Sequence, residues 1–107
     1  MLKVLVVDDS VERVELIKKA LLSSEFRAHI DVQYSDTADK ARVELLEPYD
    51  LMILDVVIPK KVGGVPQALQ SARLVDDLCN SDNEYIRPKL VIGLTADVRE
   101  LGAYREN

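Results

Sequence analysis

Cys79 is the chain's single cysteine, which excludes an internal disulfide and any metal site built from several thiolates. An excess of basic charge is also lacking: 14 Lys and Arg stand against 19 Asp and Glu. A net charge of −5 argues against nonspecific binding to nucleic acid or an anionic membrane, because both need clustered Lys and Arg. The four tyrosines are too scattered to form a stacking platform. No apolar run approaches the roughly 20 residues that a bilayer-spanning helix needs. The N-terminal run is halted by Asp8-Asp9 without a small-residue cleavage site, so no signal peptide is expected and a cytoplasmic location is the default. Repeats, low-complexity tracts and linkers are missing too. What remains is 107 residues with 48% hydrophobic content, enough for one domain with a real core.

Three apolar runs carry most of the information. Leu2-Lys3-Val4-Leu5-Val6-Val7 ends in Asp8-Asp9, Leu51-Met52-Ile53-Leu54 ends in Asp55, and Leu90-Val91-Ile92-Gly93-Leu94 ends in Thr95-Ala96. Continuous apolar runs of this length predict strands buried on both faces, as in a parallel sheet. Helical stretches separate them. Asp9 is the expected N-cap of the first, with Glu12 in capping-box spacing and Val11, Val14, Ile17 and Leu21 on the apolar stripe. A strand over 28–34 alternates Ala28, Ile30, Val32 and Tyr34 with polar residues, the pattern of a sheet edge with one face exposed; His29 falls on its polar face. The spacing predicts a second helix over 37–47, with Ala38, Ala41 and Leu45 inward, stopped before Pro48. A third, over 65–80, has Val65, Leu69, Ala72, Val75 and Cys79 near one face, which reads Cys79 as a buried small hydrophobe. A final strand covers 88–94, and Asp97 to Tyr104 can start another helix. Alternating β and α implies an α/β fold with a parallel sheet and right-handed crossovers.

In such a sheet the strand C-termini open on one edge, where ligands bind. Asp8, Asp9, Asp55 and Thr95 are thereby expected on that edge together. Close carboxylates repel one another unless a cation or proton intervenes, so the cluster asks for Mg²⁺. Asp8 and Asp9 are the expected metal side. Asp55, alone at the end of a central strand, can be a ligand or can attack phosphorus to form an acyl phosphate. That attack needs charge neutralisation more than acid–base help, because negative charge spreads over three phosphoryl oxygens. The Thr95 hydroxyl could donate to one of them, with Ala96 leaving room at the mouth. The plainer readings are helix capping for Asp8-Asp9 and for Thr95, and a surface position for His29.

The Asp8-Asp9 pair, the strand-ending Asp55, Pro59 four residues on, Gly63 eight residues on and Thr95-Ala96 occur in the order and spacing of a known family. In these residues the chain resembles the receiver domain of two-component response regulators, over essentially its whole length. The resemblance implies a three-layer, doubly wound, flavodoxin-like fold with strand order 2-1-3-4-5 and its site between strands 1 and 3. It makes Asp55 the phosphoacceptor and Thr95 the switch hydroxyl. Mg²⁺ would be held by Asp8, Asp9, Asp55 and the backbone carbonyl of Val57. The implied role is signalling, not enzymatic turnover: a histidine kinase or histidine phosphotransfer protein delivers phosphate to Asp55, and a partner or output domain reads the change. Neither direct nucleic-acid binding nor membrane contact is expected of this domain.

Some features depart from the family pattern. Residues 1–107 are expected to form the receiver domain without its fifth strand, the Lys at that strand's end, or the final helix. Lys60 and Lys61 are nearby in sequence but sit on the wrong element, and read as solvated loop charges. The segment between Asp55 and Thr95 is longer than is usual in the family. Val57 is apolar where many receivers carry a polar side chain near the attacking water, which leads us to expect a long-lived phosphoryl group. Two alternatives stand beside this reading. One is a pseudo-receiver that binds partners without phosphorylation. The other is a Mg²⁺-dependent phosphatase resembling haloacid dehalogenases, although Ser10 stands where the second Asp of their Asp-x-Asp pattern would be.

Overall fold

The run 2–7 forms a strand whose side chains divide between two cores, which is why it has to be apolar throughout. Leu5 and Val7 point into one cluster with Met52, Leu54, Leu74 and Leu78, while Val4 and Val6 point into another with Val14. The computed structural model describes residues 1–23, 25, 27–80 and 84–94. Within them the order is β1 (Leu2–Val7), α1 (Val11–Leu22), a short 3₁₀ turn (Arg27–His29), β2 (Ile30–Ser35), α2 (Ala38–Glu44), β3 (Leu51–Asp55), α3 (Ala68–Cys79) and β4 (Leu90–Leu94).

The four strands form an all-parallel sheet in the order β2-β1-β3-β4. This is the doubly wound, flavodoxin-like α/β arrangement that the sequence predicts. The chain reverses direction across the sheet after β2, so right-handed crossovers place α1 on one face and α2 and α3 on the other. The α2/α3 side is the larger core: Ala38 and Ala41 from α2, Leu45 at its C-cap, and Leu74 and Leu78 from α3 close over Leu5, Val7, Met52 and Leu54. On the other side, among the described residues, Val4, Val6 and Val14 are buried, with Ile17, Leu21, Ile30, Val32, Leu51 and Ile53 packed around them. Three layers result, with β1 and β3 central.

The second helix buries the three residues expected, and its first turn is tied to the loop after β3. Ala38 and Asp39 donate their N–H groups to the carbonyls of Pro59 and Lys60, each at 2.9 Å, and the Thr37 hydroxyl accepts from the Lys40 N–H at 3.1 Å. These bonds satisfy amides that a helix N-terminus otherwise leaves without partners. Within the loop, the Gly64 N–H donates to the Lys61 carbonyl at 2.9 Å, and Gly63 has φ +79°. A positive φ at the third position of such a turn is the reason glycine sits there.

The third helix differs from expectation. It starts at Ala68 because Gln67 is held extended by an antiparallel bridge to Ile58, with the Gln67 N–H on the Ile58 carbonyl at 3.0 Å. The helical period then turns Ala68, Gln70, Ser71, Leu74 and Leu78 inward. Val65 and Leu69 are exposed, and so is Cys79, which is not the buried hydrophobe its spacing implied. Ser71 is tolerated at the centre because its hydroxyl donates to the carbonyls of Val56 and Ala68; a polar residue on the inward face is what misled the periodicity. The apolar run of β4 also misleads. Leu90, Val91 and Ile92 are 57%, 37% and 41% exposed, because β4 is the sheet's outer strand among the described residues. In that same set no helix is long and apolar enough to cross a membrane.

Candidate functional site

Register alone puts two acids side by side. Val7 pairs with Leu54 across β1 and β3, so the next residues, Asp8 and Asp55, leave the sheet at the same level. Both are buried, at 3% and 4% exposure, while Asp9 is exposed. Asp8, Asp9 and Asp55 can each offer a carboxylate oxygen such that the three atoms lie within 4.8 Å of one another, a grouping that could hold a metal ion. All-oxygen, all-carboxylate donors suit a hard cation.

Local backbone fixes both buried carboxylates. Asp8 Oδ1 accepts the Ser10 N–H at 2.8 Å, and Asp55 Oδ1 accepts the Val57 N–H at 3.1 Å. Val57 thus lies beside Asp55, in contact through its amide. Ser10, not Asp9, is the N-cap of α1: its hydroxyl accepts from the Arg13 N–H at 3.3 Å. Asp9 is thereby left for the acidic cluster. An open groove runs from the site between α1 and β2, lined by Asp8, Asp9, Tyr34, Asp36 and Lys40. Lys40 pairs with Asp36 at 3.0 Å, and Lys60 and Lys61 are exposed on the loop. Thr95 and Ala96, the expected switch hydroxyl and its neighbour, lie outside the described residues, as does the stretch from Asp97 to Tyr104.

Arg13 is the residue that the sequence reading missed. Its guanidinium forks onto Asp8, with Nε to Oδ2 at 2.6 Å and Nη2 to Oδ1 at 3.1 Å. The same Nη2 reaches Asp55 Oδ2 at 2.7 Å. A signal was there to read: Arg13 falls in the first turn of α1, where the helix dipole disfavours a cation. A basic residue at such a position, five residues after the buried Asp8, invites the question of what compensates it.

The electrostatics follow from burial. Asp55 is pushed up to about 6, chiefly because burial penalises its charged form. The Val57 N–H and the Arg13 charge oppose that shift, and the charges of Asp8 and Asp9 add to it. Arg13 is raised in turn, first through its hydrogen bond to Asp8. Three carboxylates against one guanidinium leave negative charge that the described side chains do not neutralise.

No family model matches the chain. The chain is similar to an uncharacterized protein, y4jS, of Sinorhizobium fredii (strain NBRC 101917 / NGR234), with 29% identity over 107 residues. That alignment takes in 99% of this chain and 25% of the relative, so the chain spans about a quarter of the length of the curated relative it matches. No solved structure matches.

Proposed function

We propose that this chain is a phosphoacceptor signalling domain of the response-regulator receiver type, in which Asp55 takes a phosphoryl group with the help of Mg²⁺. The observation that carries the reading is the placement of Asp55 at the end of β3 beside Asp8, with Asp9 completing one acidic cluster on the C-terminal edge of the sheet. An Asp55 oxygen attacks phosphorus and forms an O–P bond. The N–P bond of a phosphohistidine on a kinase or phosphotransfer protein breaks, and the imidazole leaves with the electron pair. Asp8, Asp9, Asp55 and the Val57 carbonyl would hold Mg²⁺, which when bound neutralises charge on the phosphoryl oxygens. Thr95 is assigned the hydroxyl that contacts the phosphoryl group. Phosphorylation then shifts a conformational equilibrium that a protein partner or output domain reads. Such a relay operates in the cytoplasm.

One observation favours a second reading. Arg13 already pairs the two buried acids, which is how a pseudo-receiver would do without a metal. The phosphatase alternative lacks such support: at the position of its second Asp, the Ser10 hydroxyl caps α1. The test is to treat the chain with Mg²⁺ and acetyl phosphate, or with beryllofluoride, and to measure labelling by mass spectrometry. Stoichiometric labelling that Asp55→Asn abolishes supports the proposal. No response to either reagent supports the pseudo-receiver, and turnover of phosphate esters supports the phosphatase.

Val57, whose N–H is already committed to Asp55, brings no polar side chain to orient a hydrolytic water. Val57→Asn is therefore expected to shorten the lifetime of the phosphoryl group, measured by timing phosphate loss. An unchanged or slower rate would remove this part of the proposal.

A further inference from the structure

The carboxylate oxygens at the site divide into two sets. Oδ1 of Asp8 and Oδ1 of Asp55 are held by backbone amides of the segments that follow them, Ser10 and Val57, and Asp8 Oδ1 also accepts from Arg13 Nη2 at 3.1 Å. Oδ2 of Asp8 and Oδ2 of Asp55 are held by Arg13, at 2.6 and 2.7 Å. A divalent ion shared by these two acids would draw on the oxygens that backbone does not already hold, and those are the two under the guanidinium. Two cations in contact with the same pair of oxygens repel strongly in a partly buried setting. Only one can hold the pair at a time.

We propose that Arg13 is the resting counter-cation of the acidic site, and that a divalent ion binds by displacing its guanidinium, so that Arg13 sets the site's affinity for the ion. This rests on the reading of Asp8, Asp9 and Asp55 as a Mg²⁺ site. The side chain is placed for such a role. It reaches in from the first turn of α1 and is 32% exposed, so a change of rotamer can carry it towards solvent. The backbone stays fixed meanwhile, because its own N–H remains on the Ser10 hydroxyl. Metal-free, the arrangement offsets part of the charge of two buried acids; metal-bound, it would set an arginine free at the mouth of the site.

The sign of the effect separates competition from mere support. If Arg13 only positioned Asp8, its removal would weaken metal binding. If it competes, removal tightens binding. The experiment compares wild type, Arg13→Gln and Arg13→Lys, titrating Mg²⁺ by calorimetry and following the melting temperature in EDTA and in Mg²⁺. Arg13→Gln should bind Mg²⁺ about tenfold more tightly, the scale of one lost charge-assisted contact. It should melt lower than wild type in EDTA and gain more from Mg²⁺, since binding to the folded state alone raises its stability. Arg13→Lys keeps the charge but not the fork. It should fall between the two, and it carries the test if Arg13→Gln does not fold. Affinity that is unchanged or weaker in both variants overturns the proposal and leaves the Mg²⁺ site standing. Absence of Mg²⁺ binding in wild type and variants alike overturns both.

Discussion

Asp50 and Asp55 bracket the same strand, β3, yet the fold treats them in opposite ways. Asp50 sits at the N-terminal edge of the sheet. It accepts the Lys3 N–H at 2.9 Å and pairs with Lys89 at 3.2 Å, while its own backbone joins β1 and β4. Its carboxyl is held below the usual range, first by the Lys3 amide and then by Lys89. Asp55, at the other edge, is buried beside Asp8 and is pushed up to about 6. The first acid is stabilised in its charged form and serves as a brace between strands. The second is held where its charge is costly and partly compensated by one arginine. The charge of such an acid can be relieved by a proton, a cation or a chemical change, and perturbed carboxylates concentrate at functional sites.

The largest expected contrast between the two edges is in labelling by a phosphodonor. With Mg²⁺ and acetyl phosphate, Asp55→Asn should lose all labelling and Asp50→Asn should keep it, as read by mass spectrometry; equal labelling of the two variants would erase the distinction. Next is the brace itself. Tyr49, beside Asp50, is buried and donates its hydroxyl to Glu44 at 2.6 Å, with Lys3 Nζ 4.9 Å from the ring centre. Burial and that bond raise its ionisation well above the usual tyrosine value. Tyr49→Phe keeps the ring and its packing but loses a bond to a charged acceptor, which should cost about 1.5 kcal/mol in chemical denaturation.

The smallest effect is the pH dependence of stability in the metal-free protein. Asp55 has a folded pKa of about 6 against an ordinary value of 3.8, so the folded chain holds its proton more tightly than the unfolded chain. The stability this contributes is complete below the ordinary value and is lost as pH rises through about 6. Between neutral pH and about pH 5, wild type should gain about 1 kcal/mol relative to Asp55→Asn. Asp50 has the reverse sign: its contribution is present above its ordinary value and is lost as pH falls through its lowered one. Parallel denaturation series for the two Asn variants would show whether the edges differ as described; matching curves would mean that they do not.

Much of this arrangement was legible in the residues. The strands 2–7 and 50–55 and the inward residues of α2 follow from runs and periods that satisfy one local rule at a time. Asp8 and Asp55 were expected to meet because both end apolar runs, and in a parallel sheet run ends collect on one edge. The third helix was harder. Its buried face depends on where Gln67 lets the helix begin, and that is set by Ile58, nine residues earlier in the chain. Cys79 came out exposed for the same reason. Arg13 was hard for another: its first-turn position is a signal that something compensates it, but its partner Asp55 is 42 positions away, and nothing in a helix stripe says which way a long side chain will reach.

By itself, then, the sequence determined the parallel sheet, its direction and the identity of the acids on its edge, because alternation of apolar runs and helical periods is a local property. Only the tertiary structure decided which acids are buried, which are paired and by what. Burial and pairing depend on the register between β1 and β3 and on the side chains that the crossover helices bring across the strand ends. Those long-range placements separate Asp50 from Asp55 and put Arg13 between Asp8 and Asp55.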